Sequence, residues 1–71
     1  MHTLNPKKLK LSKWTAVKPL EREKHFLVTQ LCEDDEQVIT ACVLEAVISR
    51  NEHTIDWHEL QNESVWIQGW V

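Results

Sequence analysis

Glycine is almost missing from this chain: Gly69 stands alone among 71 residues. That scarcity excludes the glycine-rich loops that cradle phosphates, because such loops need residues without a Cβ. It also removes the usual occupant of tight turns, so hairpins must rely on Asp35 and Asn51 for any residue at positive φ. Cysteine is scarce too. Cys32 and Cys42 form no CxxC pair, and His25, His53 and His58 form no HxxH pair, so neither a metal nor another cofactor is expected. No apolar run reaches the length of about 18 residues that a membrane helix needs, and "MHTLNPKKLKLSKW" lacks the apolar segment of a secretory signal. A cytoplasmic protein with no membrane partner is expected, its two cysteines reduced. No serine or cysteine sits in a nucleophile motif, and Asp34-Asp35 reads as a turn rather than an acid/base pair. The chain is therefore read as not an enzyme.

What the chain does have is tryptophan. Three of its four tryptophans, Trp57, Trp66 and Trp70, fall in the last fifteen residues. A chain this short buries only about 60% of its unfolded surface, so each large ring carries much of the available hydrophobic stabilisation. Core placement is the first reading for each, and a binding platform the second.

Charge is divided along the chain. Residues 1–25 hold Lys7, Lys8, Lys10, Lys13, Lys18, Arg22 and Lys24 against Glu21 and Glu23, a balance of +5; residues 26–71 hold Arg50 against nine acids, a balance of −8. The bland reading docks the basic segment on the acidic part of its own domain. The alternative makes Lys7, Lys8, Lys10, Lys13 and Trp14 a nucleic-acid arm that pairs phosphate contacts with base stacking.

One small domain over residues 1–71 is expected, with a basic arm at 1–12 and a β-rich body at 13–71. Asn5-Pro6 reads as the cap and first residue of a helical turn. "KWTAV" reads as a strand ended by Pro19. "KHFLVTQLC", "QVITACVLEAVIS" and "TIDW" read as a meander whose turns lie at Asp34-Asp35 and Asn51-Glu52. Helical spacing of Val43, Leu44, Val47 and Ile48 keeps a helix open for residues 41–49. With the turns so centred, one sheet face collects Leu27, Leu31, Val38, Cys42, Leu44, Ala46, Ile48, Ile55 and Trp57. A helical turn at "WHEL" and a last short strand complete the element order of an SH3-like barrel.

The same register gathers Phe26, Val28, Ile39, Ala41 and Val43 into an apolar island on the second face. Such an island must be capped by Trp14 and Trp70 or used by a partner. Trp66 and Trp70, four apart, share a face in strand or helix alike. The candidate binding residues are therefore Phe26, Val43, Trp66 and Trp70, and the partner is a protein or a second copy of the chain.

"LNPKKLKLSKWTAV", "EKHF", "LEAV", "DWHEL" and "WIQGW" together resemble a small tryptophan-rich bacterial protein family of unknown function. The resemblance runs over nearly the whole chain and implies no activity, ligand or functional residue.

Overall fold

Asn5 and Pro6 act as their residue types predict. The Asn5 side chain accepts a hydrogen bond from the Lys7 backbone N–H at 3.1 Å, and Pro6 opens a 3-10 helix, Pro6–Lys8. The computed structural model describes residues 3–71, so the first two residues of the basic arm lie outside the described residues. The arm docks on the body through Leu9, which is buried in the core, with Leu4 packed beside it.

The body is mainly β. Strands β1 (Lys13–Leu20), β2 (Glu23–Glu33), β3 (Ile39–Ala46), β4 (Glu52–Asp56) and β5 (Trp66–Gln68) form one antiparallel sheet in the order β4-β3-β2-β1-β5. A 3-10 helix at Trp57–Gln61, capped by Asp56, separates the last two strands. β1 runs past Pro19, where its ladder with β2 is irregular, and an irregular ladder is where a residue without an N–H is tolerated. Residues 41–46 are strand, so the helical alternative for this stretch is set aside.

The registers differ from those read off the turns. The Asp34 side chain accepts from the backbone N–H of both Glu36 and Val38, which widens the β2–β3 turn and pairs Phe26 with Ala46 and Leu31 with Cys42. Residues 47–51 form the β3–β4 connection, which pairs Cys42 with Ile55 and Leu44 with His53. The positive-φ positions of these turns are Gln37 and Arg50, not Asp35 and Asn51, and β1 joins β2 through Glu21 and Arg22, both also at positive φ.

A bulge at Thr29 reverses the alternation of β2, because the ladder shifts by one residue between Val28 and Gln30. Phe26 and Val28 on one side of it therefore face the core together with Leu31 on the other. The expected second-face island does not form. Phe26 and Val28 join Leu9, Trp14, Cys42, Leu44, Ala46, Trp57 and Leu60 in the core, with Ile39 packed against it. Of the expected core, Leu27 points outward, and Val38 and Ile48 are exposed beside the turns. The bulge leaves the Thr29 hydroxyl buried with no hydrogen-bond partner.

The sheet curls without closing. Phe26, on the central strand, meets Trp66 of β5 at 5.2 Å between ring centroids and His53 of β4 at 6.0 Å. A flat sheet would hold those outer strands about 10 Å from β2 on either side. Among the described residues no ladder joins β4 to β5, so the expected SH3-like barrel stands as an open sheet with a gap between its edges.

Candidate binding groove

The gap between the sheet edges is a groove of about 480 Å³. Phe26 and Leu44 lie beneath it, Ile55 and His53 wall it from β4, and Trp66 and Val65 wall it from the β5 side. Its lining is mostly apolar, and its volume falls within the range of about 300–1,000 Å³ typical of ligand sites. Lys18, Glu21 and Glu23 supply its charges.

Glu23 is the unusual member. It opens β2, directly after the Glu21-Arg22 turn, and is 7% exposed. Its Oε2 accepts hydrogen bonds from the Ser49 hydroxyl and, at 3.0 Å, from Asn51 Nδ2, while its Oε1 accepts from His53 Nε2 at 2.9 Å. These donors hold its carboxyl below the ordinary value of 4.5, the Ser49 bond foremost, against a desolvation that acts the other way. The carboxylate thus ties the start of β2 to the β3–β4 connection and to β4. It stands between imidazole and hydroxyl, the reverse of the order in which an imidazole takes a serine proton.

The named candidates scatter over the fold. Phe26 and Trp66 meet in the groove, edge to face. Val43 lies on the outer face, 9% exposed, between its ladder partners Gln30 and Thr54. Trp70 lies on that face too, away from Trp66. β5 ends at Gln68, and Gly69 at φ +84° turns the chain, so strand alternation does not carry from Trp66 to Trp70. The Trp70 indole N–H donates to the Phe26 carbonyl at 2.9 Å, and Thr15 Oγ1 holds the tail by donating to the Gly69 carbonyl and accepting from the Val71 N–H.

In the basic segment, Lys7, Lys8, Lys10 and Lys13 are exposed, whereas Trp14 is 1% exposed and has no free face for a base. The aromatic beside the lysines is Trp70 instead, with Lys13 Nζ 4.8 Å from its ring centroid. Cys32 and Cys42 lie one rung apart in the β2–β3 ladder, closer than the sequence register placed them. Alternation sends them to opposite faces, and both are free thiols. Burial pushes the Cys42 thiol up to about 11. Among the described residues no three of His, Cys, Asp and Glu gather where they could hold a metal ion.

The sequence suggests His53 only as a metal ligand and Glu23 only as a charge. His53 carried a signal, since it precedes Ile55 by two residues and strand alternation puts both on the core side. Glu23, set between Arg22 and Lys24, carried none.

The family model of the tryptophan-rich protein family DUF2389 matches residues 12–71. The chain belongs to that family. Its function is unknown, so membership assigns no ligand to the groove and no role to Glu23 or His53. No curated protein and no solved structure matches the chain.

Proposed function

We propose that this DUF2389 protein is a small non-catalytic binding module of the cytosol that seats an apolar segment of a protein partner, or of a second copy, in the groove between β4 and β5. The observation that carries this reading is the pair of unjoined sheet edges with aromatic rings between them, Phe26 reaching Trp66 on one side and His53 on the other. A strand edge offers unpaired backbone groups and the groove offers apolar contact, the two components of strand addition. Among the described residues no helix is long and apolar enough to cross a membrane, which accords with a module that meets its partner in water.

The test is a titration of isotope-labelled protein with extended apolar peptides, followed residue by residue. Shifts should concentrate at Phe26, His53, Ile55 and Trp66, and Val65→Glu should abolish them. Shifts centred on Val43 and Trp70, or none at all, would overturn the reading.

The second reading is a nucleic-acid accessory module, supported by exposed Lys7, Lys8 and Lys10 and by Lys13 over the half-exposed Trp70 ring. Its mark is binding to oligonucleotides that weakens steeply with salt, because each neutralised phosphate releases counterions. The groove reading predicts no binding to oligonucleotides.

A further inference from the structure

The groove's polar end is built to accept hydrogen bonds. Glu23 is ionised and its side chain is 9% exposed; a carboxylate offers about four acceptor positions, of which Ser49, Asn51 and His53 fill three. Because an ionised carboxylate has no proton to give, His53 must donate from Nε2. The Ser49 proton is already directed to Glu23. Glu21 brings a second carboxylate to the lining, where among the described residues Lys18 is the one ammonium, so carboxylates outnumber it two to one. Phe26 and Trp66 place aromatic surface beside these carboxylates.

Resting on the reading of the groove as the binding seat, we infer that its occupant is an extended segment of a partner protein carrying a lysine or arginine two residues from an apolar one, so that both side chains fall on one face, the apolar side chain over Phe26 and the cation at Glu23 and His53. An acidic segment would meet acceptors and a like charge, so charge selects the partner as much as shape does.

The experiment compares three capped tripeptides of one skeleton, acetyl-Phe-Ala-Lys-amide, acetyl-Phe-Ala-Gln-amide and acetyl-Phe-Ala-Glu-amide, by chemical-shift titration at neutral pH and low salt. The lysine peptide should bind at least tenfold more tightly than the glutamate peptide, with the glutamine peptide between them. Glu23→Gln should bring the lysine and glutamate affinities together. Since that variant disturbs the Ser49, Asn51 and His53 bonds, Glu21→Gln provides the second measurement and should narrow the gap in a protein whose buried cluster is intact. If all three peptides shift Phe26 and Trp66 equally, or the glutamate peptide binds best, the groove stands as a seat and the cationic partner is overturned. If none of them moves a groove resonance, the seat itself is wrong and the inference falls with it.

Discussion

Trp57 shows how one side chain can serve as both core and clasp. Its ring is 8% exposed, its indole N–H donates to the Ile39 carbonyl at 3.0 Å, and the His58 imidazole stacks on it at 3.9 Å between centroids. Trp57→Ala should cost about 3–5 kcal/mol, the range for deleting a buried aromatic, which approaches the whole stability of a small domain. Urea denaturation checks this, and a variant that keeps most of its stability would show that the ring is not part of the core. Thr29 presents the opposite case. Its buried hydroxyl has no partner, so Thr29→Val, which keeps the shape and removes the polar atom, should raise stability by about 1 kcal/mol. A loss on the same measurement would mean that the hydroxyl is solvated or bonded in solution.

The turn between β1 and β2 is where local chemistry and tertiary structure disagree most. Glu21 at φ 53° and Arg22 at φ 67° form a two-residue link with Leu20 paired to Glu23, the geometry that favours Asn-Gly. Neither residue relieves the steric cost of left-handed backbone. Arg22→Gly should therefore stabilise the protein by about 0.5–1 kcal/mol, the removed strain exceeding the added entropy of an unfolded glycine. Thermal unfolding of the single variant decides it: an unchanged or lower midpoint would show that the Arg22 side chain makes compensating contacts. The β2–β3 turn follows the same pattern, since the asparagine-like capping by Asp34 moved the positive-φ residue to Gln37. A turn displaced by so little re-pairs every residue in the ladder.

Across the whole molecule, acid should act mainly through two carboxylates. Glu23 is held below 4.5 by its hydrogen bonds from Ser49, Asn51 and His53, and Asp56 below 3.8 by the His58 backbone N–H and then its ring. A group whose folded pKa is lowered stabilises the fold above its unfolded pKa, and that contribution disappears as pH falls through the folded value. Stability should thus be level near neutrality and decline from about pH 4.5 downward. Glu23→Gln should start lower at pH 7 and show a shallower decline, read from unfolding midpoints across the pH range. Parallel curves for the two proteins would mean that Glu23 is no better bonded in the folded state than in the unfolded one.

Much of this architecture was legible in order along the chain. The Asn5-Pro6 helical turn, the β-rich meander, the turn at "WHEL" and the short last strand are each set by neighbours within a few residues, and each formed where those neighbours indicated. The core-side alternation of Cys42, Leu44, Ala46, Ile55 and Trp57 was legible too, because the β3–β4 register slipped by an even number of residues and preserved the faces. The placement of Phe26 and Val28 was not. The wider turn at Asp34 shifted the pairing by an even number and kept the faces, but an unmarked bulge at Thr29 moved them from the outer face to the core, and no local propensity encodes that bulge. The groove was beyond sequence reasoning for the same reason. Its walls come from Glu23, His53 and Trp66, residues far apart along the chain whose meeting depends on how far the sheet curls. Curl is decided by packing around Phe26 and by the bonds gathered on one buried carboxylate, interactions that exist only once the strands are paired.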